Sequence, residues 1–145
     1  MAKALIVCAT RTGETLRIGN LIAEGIRVAG HEATVLKINV IKTETDLQGY
    51  DALLFGSATY HGDMIQAMKQ MLFLAEKAAL EGKVGGAFGA FGWSGEAPDR
   101  IFNTMKNIFN MDMVSGPLRL KSSSLEGAVQ MAQSYGLEIA DKLGS

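Results

Sequence analysis

Near its start the chain reads ALIVCATRTGET, residues 4–15. The first half of this stretch, 4–9, is an uninterrupted apolar run that is partly β-branched and too short to be a helix. Such runs are typical of parallel strands that are buried on both faces of a sheet. The second half is a polar turn with one glycine, and apolar residues then recur at roughly helical spacing over 16–28. The stretch therefore predicts a strand, a short turn and a helix.

The same alternation of strands and helices continues along the whole chain. Further strands are predicted at 33–38, 51–57, 83–91 and around 114–120, and further helices at 64–79, about 99–109 and about 125–143. Units of this length with right-handed crossovers predict an α/β fold, a parallel sheet with helices on both faces. Because neither a repeat nor a linker interrupts the pattern, 1–145 is expected to form a single domain.

Composition excludes several classes of protein. The 14 basic and 15 acidic side chains leave a net charge of −1, which gives no basic face for nucleic acid. No apolar run approaches the length of a membrane span, and the first residues show no export signal. The one cysteine excludes an internal disulfide, so a cytoplasmic location is expected.

The turn after the first strand has the composition of a phosphate site. Three hydroxyls, those of Thr10, Thr12 and Thr15, surround Gly13. Backbone N–H groups and the helix dipole make a helix N-terminus attractive to anions, and hydroxyls add further donors. The alternative interpretation is ordinary N-capping by a threonine, with Glu14 favourable in the first turn. Neither the dinucleotide glycine fingerprint nor a Walker loop is present.

This turn resembles the phosphate loop of flavodoxins, Thr/Ser-x-Thr-Gly-x-Thr after an apolar first strand. The segments 46–51 and 56–60 add to the resemblance, which covers essentially all of the chain and fits the short-chain form. It implies a flavodoxin-like three-layer sandwich with a five-stranded parallel sheet of order 2-1-3-4-5 and one bound FMN. By the same resemblance, the FMN phosphate is held by Thr10, Arg11, Thr12, Gly13, Glu14 and Thr15.

Two residues of this loop depart from the family pattern. Glu14 stands where an asparagine is often found, so its carboxylate is expected to point away from a phosphate dianion. Arg11 adds a positive charge to a loop that is often neutral in the family. Both changes are expected to affect affinity without removing the site.

Two further loops are expected to hold the flavin ring, because open α/β sheets bind ligands beyond the carboxyl ends of their strands. Each loop has an aromatic ring among small residues, which suits stacking on a flat cofactor. The loop residues are Ala58, Thr59, Tyr60, His61 and Gly62 after the third strand, and Phe91, Gly92, Trp93, Ser94 and Gly95 after the fourth. The alternative for Trp93 is core packing, and for His61 a solvent-facing position rather than one that titrates beside the flavin.

The Gly-Trp-Ser-Gly-Glu stretch of the second loop resembles the flavodoxin module of flavodiiron proteins. This resemblance implies that Trp93 stacks on the isoalloxazine and that Tyr60 is the ring of the other loop. In many flavodoxins a glycine in that other loop lets a peptide flip to bond the flavin N5–H, and Gly62 is the candidate here.

The resemblance implies a function in electron transfer. The chain would shuttle electrons between a reductase and a redox acceptor through the FMN semiquinone and hydroquinone. An FMN-dependent reductase of a quinone or other small acceptor is the alternative, and a flavin-sensing module without electron flow is a third class. The compact chain has little sequence for an open substrate pocket, which favours the carrier. A monomer without catalytic residues is expected, and no metal site is assigned because no cluster of cysteine and histidine has metal-ligand spacing.

Because only Asp63, Glu96 and Asp99 are obvious acidic neighbours of the flavin, a less negative hydroquinone potential than in acidic flavodoxins is expected.

Other residues receive structural interpretations. Cys8, inside the first strand, is interpreted as a small buried hydrophobe. His31 follows a glycine in a turn and is interpreted as a surface residue. Ile108, Phe109 and the Met-Asp-Met segment 111–113 are expected to form an apolar rim for docking.

Overall fold

The structure, a computed structural model, describes residues 1–91, 95–121 and 126–144. It contains strands and helices that alternate along the chain. In chain order they are β1 (Lys3–Ala9), α1 (Glu14–Val28), β2 (Glu32–Lys37), β3 (Ala52–Ser57), β4 (Thr59–Tyr60), β5 (Asp63–Met64), α2 (Gln66–Glu76), β6 (Val84–Ala90), α3 (Glu96–Asn107), β7 (Asp112–Met113), β8 (Leu118–Leu120) and α4 (Ala128–Leu143).

The main sheet is parallel and has the order β2-β1-β3-β6, with both β7 and β8 beside β6. This order confirms the predicted flavodoxin-like arrangement 2-1-3-4-5, with the fifth strand divided into two short segments. The register places Ala9 opposite Ser57, so β1 and β3 end side by side. The turns that follow these strands therefore leave from one edge of the sheet.

Burial explains why the central strands are continuous apolar runs. β1 is buried from Ala4 to Ala9, and all six residues of β3 are buried. β2 lies at the sheet edge and alternates exposed and partly buried positions, as its sequence pattern predicts. Cys8 lies in the core as expected, and its burial raises the pKa of the thiol to about 12. That thiol is therefore protonated at neutral pH and unreactive.

Helices α1 and α4 pack closely against each other beside the sheet. Two glycines allow this approach, one on each helix. A Cβ on Gly25 would lie 2.2 Å from the carbonyl oxygen of Gln133, and a Cβ on Gly136 would lie 2.1 Å from that of Ile22. Because both contacts are to backbone atoms, neither position has room for a side chain. The position of α1, whose N-terminus adjoins the predicted phosphate loop, thus depends on these two residues.

The hydroxyl of Tyr135, on α4, lies at the break in the fifth strand. It accepts a hydrogen bond from the N–H of Ala87 in β6 at 3.1 Å. It lies within donating distance of the carbonyl oxygens of Gly116 (2.8 Å) and Ala87 (3.1 Å). Burial raises the pKa of Tyr135 above its usual value, so the hydroxyl keeps its proton. The side chain of Tyr135 thus forms hydrogen bonds with backbone groups at the point where the fifth strand of the sheet is interrupted.

We expect Tyr135→Phe to lower the free energy of unfolding by about 1–2 kcal/mol, because the buried N–H of Ala87 loses its acceptor. Urea unfolding followed by circular dichroism measures this change. The control is Tyr50→Phe, which removes a hydroxyl from a half-buried tyrosine before β3. Equal stability of the two variants would contradict the role given to the Tyr135 hydroxyl.

His31 is buried, so its interpretation as a surface residue was wrong. Its Nδ1 accepts a hydrogen bond from the N–H of Ala2 at 3.0 Å, and its Nε2 lies 2.7 Å from the carbonyl oxygen of Gly144. The ring therefore carries its proton on Nε2 and donates it to that carbonyl. This side chain joins the segment before β1 to the segment after α4, which are distant in sequence.

Several helix boundaries differ from the sequence pattern; α2 ends at Glu76 and not at 79, and α4 begins at Ala128 and not at about 125. α2 begins at Gln66 and not at Met64, because Met64 pairs with Thr59 in the β4–β5 hairpin. α3 begins at Glu96, three residues before its predicted start. Within the described ranges, none of the helices combines the length and the apolar character that a membrane crossing requires.

Candidate functional site

The loop between β1 and α1 is organised by Thr10 and Gly13. The hydroxyl oxygen of Thr10 accepts a hydrogen bond from the N–H of Gly13 at 2.9 Å. Gly13 is the N-cap of α1 and has φ +91°, a left-handed conformation that glycine adopts without strain. Because the N-cap position is a glycine, none of the threonines occupies it, and the interpretation of a threonine as the ordinary N-cap is not supported. By helix geometry, the N–H groups of the first turn have no carbonyl one turn earlier to bond.

Thr15, in the first turn of α1, has an unusual hydroxyl. Its side chain is fully buried, and among the described residues its Oγ1 is the one buried side-chain polar atom without a hydrogen-bond partner. Leaving such a group unpaired is unfavourable. A phosphate at this helix N-terminus would supply an acceptor for the hydroxyl. The loop therefore fits the phosphate end of FMN.

The loop after β3 is a short hairpin that the sequence pattern did not predict. β4 and β5 pair antiparallel, with Tyr60 opposite Asp63. The two turn residues between them, His61 and Gly62, have φ +53° and +73°, the signature of a tight type I′ turn. His61 is exposed, which agrees with the interpretation that it faces solvent. Gly62 lies close to α3, since a Cβ there would be 3.1 Å from a carboxylate oxygen of Glu96.

Two side-chain hydrogen bonds hold this hairpin against the rest of the fold. The hydroxyl of Thr59 accepts from the N–H of Ala97 in α3 at 3.0 Å. The hydroxyl of Ser57, at the end of β3, accepts from the N–H of Ile65 at 2.9 Å. These bonds fix both ends of the hairpin, so the ring of Tyr60 projects from an anchored element.

The loop after β6 begins with Phe91, whose N–H donates to the carbonyl oxygen of Leu120 at 3.0 Å. Gly95, at the other end of the loop, adjoins the ring of Phe91, because a Cβ there would lie 3.3 Å from the ring. Gly92, Trp93 and Ser94 lie outside the described residues. The expected stacking of Trp93 on the flavin therefore stays a prediction.

A cavity of about 160 Å³ brings the three loops together at the carboxyl ends of the strands. This is where parallel α/β sheets bind ligands. Among the residues that the structure describes, the lining consists of Thr12, Glu14, Ala58, Thr59, Tyr60, Ala90, Phe91 and Lys121. Lys121 was not among the predicted site residues. It directly follows β8, so the rule that selected the other loops also points to it.

Charges near the hairpin are largely balanced. Asp63 forms an ion pair with Lys69, and the hydrogen bond from that lysine is the main reason why the pKa of Asp63 lies below its usual range. Oδ2 of Asp99 lies 3.4 Å from Nη1 of Arg119. Two of the three carboxylates expected near the flavin are therefore paired with cations.

A second, mainly apolar groove of about 270 Å³ lies between α2 and α3. Exposed Phe73 and Ile108 are among its lining residues. The expected docking rim at 108–113 was wrong in part, because Phe109 and Met111 are buried in the core. This groove belongs to the helical layer and not to the strand ends, so the cavity between the three loops is the better candidate for the cofactor.

Comparisons with known proteins agree with this geometry. A protein-family model described as Flavodoxin matches residues 6–133. The chain is similar to a solved flavodoxin from the domain Archaea, with 28% sequence identity, a TM-score of 0.92 and 99% coverage of both chains.

Two relatives carry other names. One, a type A flavoprotein of Rhodobacter capsulatus called fprA, is 31% identical over 93 residues, which are 64% of this chain and 21% of that protein. The other, an NAD(P)H dehydrogenase (quinone) of Archaeoglobus fulgidus, is 28% identical over 123 residues, 68% of this chain and 64% of that protein. The chain thus spans less than two thirds of the length of either relative.

Proposed function

The chain belongs to the flavodoxin family, whose cofactor is FMN, and from that premise we propose that it carries electrons between a reductase and an acceptor protein. The observation that supports this proposal best is the buried, unpartnered hydroxyl of Thr15 at the N-terminus of α1. This hydroxyl is a hydrogen-bond donor, and the phosphate of FMN is a matching acceptor. The aromatic side chains of Tyr60 and Phe91 line a cavity at the same sheet edge. We also propose that 1–145 forms one FMN-binding domain.

We assign the phosphate of FMN to the loop before α1, because that loop combines hydroxyl donors with the first-turn N–H groups of a helix. Thr10 shapes the loop through its bond to Gly13, and the hydroxyl of Thr15 would donate to the phosphate. The flavin ring is assigned to the two aromatic loops. The residues proposed to contact FMN are Thr10, Arg11, Thr12, Gly13, Glu14, Thr15, Ala58, Thr59, Tyr60, His61, Gly62, Phe91, Gly92, Trp93, Ser94 and Gly95.

When bound, FMN supplies the electron-transfer chemistry, and the protein supplies binding, orientation and electrostatics. The anchored hairpin holds the backbone of Tyr60 in place, and the side chains of Tyr60 and Phe91 line the cavity. The charged groups around the hairpin determine how strongly the site stabilises the negative charge that reduction would add to bound FMN.

The test is an absorbance spectrum of the purified protein mixed with FMN, followed by gel filtration and stepwise anaerobic reduction. We expect flavin absorbance to elute with the protein and reduction to proceed in two separate one-electron steps. Riboflavin, which lacks the phosphate, is the matched control ligand and is expected to elute free. Loss of FMN on the column would overturn the proposal and favour a module that does not use flavin for electron flow.

A quinone reductase remains the second candidate, because two relatives are named NAD(P)H dehydrogenase (quinone). Against it, the matches cover 64% and 69% of those relatives, whereas the solved archaeal flavodoxin is matched over 99% of both chains. Steady-state assays with NAD(P)H and a small quinone distinguish the two functions. Turnover by the FMN-loaded protein alone supports the reductase. Reduction that needs an added flavoprotein reductase supports the carrier, and reduction of an added acceptor protein would identify its downstream partner.

We expect the second one-electron reduction to occur at a less negative potential than in strongly acidic flavodoxins. Asp63 and Asp99 each have a cationic neighbour, so they repel an added negative charge only weakly. Lys69→Met leaves Asp63 unpaired and should lower this potential by on the order of tens of millivolts. Redox titration measures both quantities, with Lys77→Met at the exposed end of α2 as the control. A wild-type potential as low as in acidic flavodoxins would contradict the expectation.

A further inference from the structure

The side chain of Arg11 lies across the ring of Tyr60, with its guanidinium carbon 4.5 Å from the ring centroid. Arg11 belongs to the loop after β1, and Tyr60 belongs to the hairpin after β3. The contact therefore joins the loop proposed for the phosphate to a loop proposed for the flavin ring. A guanidinium over an aromatic face at this distance is a favourable cation–π contact.

The arrangement gives the ring of Tyr60 two different neighbours. Tyr60 lines the cavity between the loops, whereas Arg11 is exposed and is not part of the cavity lining that the described residues form. The guanidinium thus contacts a ring of the cavity wall without being one of the described lining residues itself. β4 and β5 have only two residues each, and the hydrogen bond at Thr59 holds the hairpin backbone but not the ring. Arg11 supplies a contact that restrains the ring itself.

Arg11 also brings a positive charge to this contact. Among the described residues, three ion pairs are formed, and Arg11 takes part in none of them. By contrast, Lys69 and Arg119 near the hairpin each face a carboxylate. An aromatic face attracts a cation without cancelling its charge, so Arg11 keeps its positive charge beside the site.

We infer that Arg11 is a positioning residue of this site, which holds the ring of Tyr60 on the cavity wall and keeps a positive charge next to bound FMN. This inference rests on the proposed function and assigns one residue a role within it. The ring contact favours the binding of FMN in each of its redox states. The charge favours the cofactor more strongly once reduction has made it more negative.

The experiment compares Arg11→Gln and Arg11→Lys with the wild type. Arg17→Gln, which removes the same charge from an exposed position on α1, is the matched control. Affinity for oxidised FMN is measured by fluorescence titration, and the affinity for fully reduced FMN follows from the two reduction potentials. The ring resonances of Tyr60 in the FMN-free protein give a readout that is independent of the cofactor.

We expect Arg11→Gln to weaken the binding of oxidised FMN about two- to fivefold. The binding of fully reduced FMN should be weakened by roughly threefold more than that. Arg11→Lys should have the wild-type reduction potentials, because lysine keeps the charge. It should not have the wild-type ring resonances of Tyr60, because lysine lacks the planar face of arginine. In a Tyr60→Leu background, Arg11→Gln should weaken the binding of oxidised FMN less than it does when Tyr60 is present, because the ring contact is already lost and only the charge effect remains.

Two negative results have different meanings. In the first case, the wild-type protein retains FMN, but Arg11→Gln matches Arg17→Gln in FMN affinity, reduction potentials and Tyr60 resonances. This result overturns only the role of Arg11 and leaves the proposed function in place. Wild-type protein that does not bind FMN overturns the proposed function, and the role of Arg11 in holding FMN with it.

Discussion

Replacing Thr15 by valine is expected to stabilise the FMN-free protein while weakening FMN binding by about 10- to 100-fold. Valine has nearly the same shape as threonine but lacks the hydroxyl that is buried without a partner. Removing a desolvated hydroxyl should raise the free energy of unfolding by on the order of 1 kcal/mol. The same hydroxyl is proposed to donate to the phosphate, and hydrogen bonds to charged groups are among the stronger ones. The two effects therefore have opposite signs.

The measurements for Thr15 are urea unfolding without FMN and fluorescence titration with FMN. Thr15→Ser keeps the hydroxyl and should retain most of the affinity. Thr34→Val makes the same chemical change at an exposed position of β2 and should alter neither quantity. If Thr15→Val bound FMN as tightly as the wild type, Thr15 would not be a phosphate ligand.

The second large effect is expected at the contact between α1 and α4. Gly136→Ala should lower the free energy of unfolding by about 2–3 kcal/mol, because its Cβ would lie 2.1 Å from the carbonyl oxygen of Ile22. The opposing gain in helix propensity is included in this value and amounts to about 1 kcal/mol. The helices must separate to admit the methyl group, which shifts α1 and its N-terminal loop. We therefore expect weaker FMN binding as well.

Gly116→Ala is the control for this variant. Gly116 lies in the break between β7 and β8, and a Cβ there would meet nothing within 4 Å. Its backbone is outside the left-handed region, so alanine should change the free energy of unfolding by less than about 0.5 kcal/mol. Denaturant unfolding of both variants is the measurement. A Gly136→Ala variant as stable as Gly116→Ala would show that the two helices adjust to the methyl group without penalty.

The fold follows from the sequence wherever burial imposes a pattern. The continuous apolar runs of β1 and β3 reflect strands covered on both faces, and the alternation of β2 reflects its place at the edge. The hairpin at 59–64 was missed because two-residue strands are too short to show a period. Met64 in particular fits a helical apolar spacing, although it pairs across the hairpin.

The site was predictable in its location but not in its contacts. Parallel strands bring their carboxyl ends to one edge, so the three loops could be chosen from the strand positions alone. The missing partner of the Thr15 hydroxyl depends on burial by distant elements, which the sequence of the loop does not contain. The contact between Arg11 and Tyr60 joins residues 49 positions apart, and no periodicity reports such a pair.

The hydrogen bonds of His31 have a consequence for how this fold can be combined with other domains. They hold Ala2 and Gly144 against one imidazole, on the side of the sheet where β1 begins. The cavity lies where β1 ends, and a seven-residue strand is about 20 Å long. A domain fused at either terminus would thus be tethered at the pole opposite the cofactor loops. We therefore expect that such a fusion partner can be exchanged without altering the residues proposed to hold FMN.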